Sequence, residues 1–75
     1  MIKVNSALQQ DKIIELLNNL TEENIHFAYH KKEGISLLFE TDADDLEKAA
    51  KIAKSAIKSQ SWGSVLYFQV VSVSV

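Results

Sequence analysis

Apolar and polar positions alternate along some stretches of this chain and follow helical spacing along others. Ile2 and Val4 share one face of a short strand over residues 1–4. Ser6 and Gln9 have the spacing of a capping box, with Ser6 as N-cap and Gln9 at the third helical position. Behind them Ile13, Leu16, Leu17 and Leu20 form one apolar stripe, flanked by Leu8 and Ile14, and predict a first helix. Glu22 and Glu23 are unfavourable against the negative end of a helix dipole. The helix is therefore expected to fade near Leu20, with Asn24 as a left-handed cap.

Ile25, Phe27 and Tyr29 then alternate with His26, Ala28 and His30, and Ile35, Leu37 and Phe39 alternate with Ser36, Leu38 and Glu40. These are two half-buried strands of a hairpin. If both aromatic rows face the core, the numbers of paired residues must sum to an even value. A three-residue loop, Lys32-Glu33-Gly34, meets that condition and pairs Lys31 with Ile35, Tyr29 with Leu37 and Phe27 with Phe39. It also gives Gly34 the left-handed position of a bulged turn. The same register sets His26 opposite Glu40 and His30 opposite Ser36.

Thr41 or Asp42 is the expected N-cap of a second helix, with Leu46, Ala49, Ala50, Ala53, Ala56 and Ile57 on one face and Ile52 off the stripe. That face is mostly alanine, so the helix can lie close to a sheet. Its acids come early and its lysines late, matching the helix dipole. After the Trp62-Gly63 turn, residues 65–75 are rich in β-branched and aromatic residues and predict a long last strand. Leu66, Phe68 and Val70 form one face, and Val71, Val73 and Val75 the other. The switch predicts a bulge between Val70 and Val71, or burial of both faces.

The order strand, helix, strand, strand, helix, strand builds a two-layer α+β sandwich, an antiparallel sheet with both helices on one face, from a single domain over residues 1–75. In its order of elements, though in no motif, nearly the whole chain resembles the ferredoxin-like βαββαβ superfold. The resemblance implies central first and third strands and outer second and fourth strands. The alternative is a three-stranded αββαβ domain whose open edge a partner covers.

Composition narrows the function. There is no cysteine, which excludes disulfides and thiolate metal sites and fits a cytoplasmic protein. All eight basic residues are lysine and the net charge is −2. Without arginine, the usual bidentate reader of guanine and phosphate, a dedicated nucleic-acid binder is not expected. No apolar run approaches the ~20 residues of a membrane span, and the N-terminal stretch lacks the apolar core of a signal peptide. RNA-recognition domains share the element order, but their basic–glycine–aromatic run is replaced here by Glu33-Gly34-Ile35, with Ser36 and Leu38 at the outward positions. Metal carriers of this fold need two cysteines and acylphosphatases an arginine. The order also resembles ligand-binding ACT domains, with Asn5-Ser6 in place of their usual glycine turn.

Two histidines invite a site. On a strand, His26 and His30 stand ~13 Å apart, so they cannot share a zinc ion, which needs both nitrogens at about 2 Å. His26 beside Glu40 could orient an imidazole for acid–base work; the plain alternative is a cross-strand polar pair on a solvated face. The candidate ligand-binding residues are His26, Glu40, His30 and Tyr67. No catalytic residue, metal or cofactor is assigned. The lysines Lys48, Lys51, Lys54 and Lys58 are expected to line a solvated helix face. The sheet face away from the helices collects Ala28, Leu38, Val65, Tyr67 and Val71 inside a polar ring, as interfaces do. Residues 65–75 carry no charge, although edge strands are usually guarded by one. Val65, Tyr67, Val71, Val73 and Trp62 are therefore the candidate interface. The expected protein is a small non-enzymatic module acting through homodimerisation or protein–protein contact. The alternative is a small-molecule-binding or catalytic dimer with a pocket near His26 and Glu40.

Overall fold

The alternation at the start of the chain becomes strand β1 (Ile2–Asn5), with Ile2 and Val4 fully buried. A computed structural model describes residues 1–73. Helix α1 (Gln10–Asn18) follows, then β2 (Thr21–Glu22), β3 (Ile25–Glu33), β4 (Ser36–Thr41), helix α2 (Leu46–Lys58) and β5 (Gln69–Ser72). The five strands form one antiparallel sheet in the order β2-β3-β4-β1-β5. Among the described residues the molecule is thus an α+β protein with two helices. It departs from the four-strand expectation by the additional β2, which sits at one edge. Ile2, Val4, Leu37 and Phe39 from the sheet meet Ile13 and Leu17 of α1 and Ala49, Ala53 and Ile57 of α2 in one core. Both helices therefore cover the same sheet face.

The first helix does not use the capping box. Ser6 is buried, its N–H donates to the Ile35 carbonyl at 2.9 Å, and its hydroxyl donates to the Leu8 carbonyl at 2.7 Å. It is bound into the sheet end and cannot reach the helix. The chain turns instead at Gln9, in left-handed conformation with φ 59°, and α1 begins at Gln10. The Gln10 amide donates back to the Ser6 carbonyl at 2.8 Å. Asn24 is left-handed as expected, with φ 64°, but it caps no helix. Together with Glu23, φ 52°, it forms the two-residue connection of a hairpin that pairs Glu22 with Ile25. Two successive positive φ values make a type I′ turn, whose twist suits tightly joined strands.

The β3–β4 hairpin corrects the predicted register. Gly34 has positive φ, 61°, as expected. The connection is Gly34-Ile35, however, with Glu33 opposite Ser36, Lys32 opposite Leu37 and Lys31 opposite Leu38. The register then shifts between Tyr29 and Lys31, and beyond the shift Tyr29 faces Phe39, Ala28 faces Glu40 and Phe27 faces Thr41. The parity argument assumed an unbroken ladder. One extra residue in a bulge converts an odd sum at the turn into an even sum at the aromatic row. Tyr29 and Phe39 still meet on the core side, ring centroids 5.8 Å apart and edge-to-face.

Helix α2 starts later than expected. Its N-cap is Asp45, whose carboxylate accepts from the N–H groups of Glu47 and Lys48 at 3.0 and 3.2 Å. Thr41 still belongs to β4, and Asp42 is engaged elsewhere. Ile52, expected off the stripe, is buried with Ala49, Ala53 and Ile57, so the sheet contact is wider than the alanine face. The long last strand is not formed among the described residues. The chain turns through residues 61–65, and β5 spans four residues, pairing in regular register with β1 from Gln69 to Ser72. Leu66, Phe68 and Val70 pack against the core as their spacing predicts. There is no bulge at Val70–Val71: Val70 faces the core and Val71 the other side. Val75 lies outside the described residues.

Candidate functional site on the open sheet face

On the face away from the helices, His26, Ala28, Glu40 and Asp42 lie along the β3–β4 ladder. The register shift replaces the expected His26–Glu40 pair. Asp42 takes His26 instead: its carboxylate accepts from the His26 backbone N–H at 2.8 Å and meets the ring Nδ1 at 2.9 Å. These contacts hold the Asp42 carboxyl below the usual value of 3.8, the backbone N–H first and the imidazole second. Thr41 locks the same corner, its hydroxyl donating to the His26 carbonyl at 2.9 Å. Glu40 lies opposite Ala28 and comes within 3.7 Å of His30, which occupies the bulge. His30 therefore does not face Ser36. Each histidine has its own carboxylate: His26 meets Asp42 in place of Glu40, and His30 meets Glu40 in place of Ser36.

The groove beside the first pair, lined by His26, Phe27, Ala28, Glu40, Thr41 and Asp42, has a volume of about 290 Å³. Both pairs are about half exposed. Their chemistry is that of an imidazole oriented by a carboxylate at Nδ1, which leaves Nε2 to meet solvent or a ligand. Among the described residues, no group of three His, Cys, Asp or Glu side chains is placed to hold a metal ion.

Tyr67 is not part of this site. It stands 88% exposed in the segment leading into β5, and with Leu8, Ile35 and Leu66 it lines a separate cavity of about 320 Å³ at the sheet end. Val65, 87% exposed, precedes it. The predicted apolar centre of the open face is thus divided. Leu38 is buried, with Lys3 and Lys31 as its cross-strand neighbours. Val71 lies beside Lys3, partly exposed, and Val73 donates its N–H to the Met1 carbonyl at 2.8 Å. Trp62 packs on the core edge with the Lys12 ammonium 5.9 Å from its ring centroid. The periodicity gives no sign that Leu8 and Ile35 lie at this surface: it places Ile35 in a strand that begins one residue later, and Leu8 on a helix flank that is a loop.

Compared with protein-family models, with curated proteins and with solved structures, the chain finds no match. Among the described residues, no helix is long and apolar enough to cross a membrane.

Proposed function

We propose that this protein is a small cytoplasmic interaction module, without catalysis of its own, that works as a homodimer. The observation that carries this reading is the gathering of large apolar side chains at one end of the sheet. Leu8, Ile35 and Tyr67 border one cavity with Val65 beside them, and each is more than half exposed. Scattered exposed apolar residues are ordinary, but a contiguous group marks a contact surface. The absence of cysteine supports the compartment. We also read the fold as a ferredoxin-like one extended by β2: with the two-residue β2 set aside, the longer strands run β3-β4-β1-β5, with the first and third at the centre. Light scattering across the micromolar range tests the function. A mass twice the chain's 8.4 kDa is expected, and a monomer throughout overturns the reading.

One observation favours a second reading, a ligand-binding or catalytic dimer with its pocket at His26 and Glu40. It is the 2.9 Å contact that orients the His26 ring. A fragment screen followed by NMR separates the two readings, since this one requires shifts concentrated at His26, Ala28 and Glu40.

A further inference from the structure

The two edges of the sheet are built differently. At one edge β2 is two residues long and carries Glu22. The rest of that edge, on β3, has the Asn18 side chain accepting the Tyr29 N–H at 2.8 Å, the bulge at His30, and the charged run Lys31-Lys32-Glu33. These are the devices that keep a strand edge from pairing with another chain. The other edge, β5, reads Gln69-Val70-Val71-Ser72, with no charge and a regular ladder.

The ladder fixes what this edge offers. The Val73 N–H donates to the Met1 carbonyl. Hydrogen-bonded and non-hydrogen-bonded pairs alternate along an antiparallel ladder, and Lys3 faces Val71 while Val4 faces Val70. Gln69 and Val71 therefore turn their N–H and C=O toward β1. Val70 and Ser72 turn theirs outward, away from the sheet.

Resting on the homodimer reading above for its second copy, but placing the contact on the uncharged β5 edge and not on the Leu8–Ile35–Tyr67 end, we infer that β5 pairs with β5 of a second copy about a two-fold axis at Val71. This register matches Val70 with the partner's Ser72 and Ser72 with the partner's Val70, each pair exchanging two hydrogen bonds. Val71 meets its own counterpart on the open face, in a non-hydrogen-bonded pair. An isologous contact must be self-complementary, and the helix behind the edge meets that demand. Helix α2 joins β4 to β5, two strands that run the same way because each is antiparallel to β1. It therefore runs against β5, and Glu47 lies toward Ser72 and Lys54 toward Val70 in the groove they line together. A two-fold axis reverses this order, so Glu47 of one copy stands beside Lys54 of the other. Neither residue has an ion-pair partner within its own chain among the described residues.

The chain has no native cysteine, which makes cross-linking a clean test. Opposed Cα atoms of a non-hydrogen-bonded pair lie about 4.5 Å apart, within disulfide range. Under mild oxidation Val71→Cys should run as a covalent dimer. Tyr67→Cys, whose counterpart lies roughly 26 Å away in this register at ~3.3 Å per residue, should not. Glu47→Lys and Lys54→Glu should each weaken self-association about two- to thirty-fold, the effect of two symmetric exposed ion pairs, and the double reversal should restore it. A wild-type dimer whose Tyr67→Cys form cross-links while Val71→Cys does not overturns the edge pairing and leaves the homodimer standing. A wild-type monomer overturns both. If Val71→Cys fails to fold, the charge reversals decide: lack of rescue by the double variant sinks the inference.

Discussion

The chain's two glycines serve opposite purposes, and replacing each by alanine separates them. Gly34 has φ +61°, but a Cβ there would meet nothing within 4 Å. Its replacement costs the left-handed conformation alone, about 1–2 kcal/mol for an L-residue. Gly63 is buried, and its Cβ would fall 1.8 Å from the Ile57 carbonyl oxygen and 2.8 Å from the Ile57 carbonyl carbon. That is roughly half the ~3.5 Å at which heavy atoms normally meet. The obstacle is backbone, at the end of α2, and cannot swing aside as a side chain would. Relief requires the turn that carries Trp62 to lift away from the helix. This exceeds ordinary overpacking, so ~3 kcal/mol or more is expected. At ~0.05–0.15 kcal/mol per residue, a chain of 75 residues has about 4–11 kcal/mol in total. Gly63→Ala therefore removes a large part of the stability. With ~4–8 °C of Tm lost per kcal/mol in a domain this small, Gly34→Ala should melt about 4–16 °C below the parent. Gly63→Ala should fall further or fail to fold. Thermal and urea unfolding followed by circular dichroism measure both. A Gly63→Ala protein as stable as Gly34→Ala would show that the helix–turn contact is not rigid and refute the reasoning.

Other outcomes follow from the sheet and helix ends. The lowered Asp42 pKa means that its carboxylate contributes stability above the usual value of 3.8 and that the contribution disappears as pH falls through the folded-state value. An NMR titration should place Asp42 below 3.8, and Asp42→Asn should reduce the stability gained on raising the pH from the acid side. Asp45→Ala should cost about 1 kcal/mol as a lost N-cap, while Asp44→Ala should change little; equal stability of the two variants in urea unfolding would refute the cap at Asp45. Binding to RNA or DNA at physiological salt should be no tighter than roughly 10⁻⁴ M, and a submicromolar value by fluorescence anisotropy would show that the α2 lysines are a binding face.

The sheet partners and the core were largely legible because they depend on period alone. Ile2, Val4, Ile13, Leu17, Phe27, Leu37 and Phe39 all reach the core that their spacing assigns. What was misplaced depends on competition between near-equal local choices. Ser6 and Asp42 are both good caps, but Ser6 has a backbone partner in Ile35 and Asp42 has one in His26, and long-range hydrogen bonds of that kind leave no local trace. The bulge at His30 is equally silent in the pattern: a polar residue is acceptable on either side of it. Together with the shorter turn at Gly34-Ile35, that insertion gave His26 the carboxylate of Asp42 and His30 that of Glu40, so the candidate site kept its residues and changed its pairs. Leu38 shows the limit in packing. A leucine on the outward row reads as exposed, yet Leu38 is buried, with a lysine opposite it on each neighbouring strand.

Strand β1 lies between β4 and β5, and this placement sets the order in which the molecule can assemble. The β3–β4 hairpin closes across Gly34-Ile35, between near neighbours in the chain. The β1–β5 ladder joins Ile2 to Ser72, almost the full length of the chain. Entropy of loop closure must be met before such distant pairs return anything, so chains dominated by them fold slowly. The hairpin and its two helices are therefore the expected early framework, and β1 is paired on both sides only when the last strand arrives. Until then one flank of the strand that carries the buried Ile2 and Val4 is open, and in the interval before β5 docks this chain is exposed to pairing with the wrong molecule.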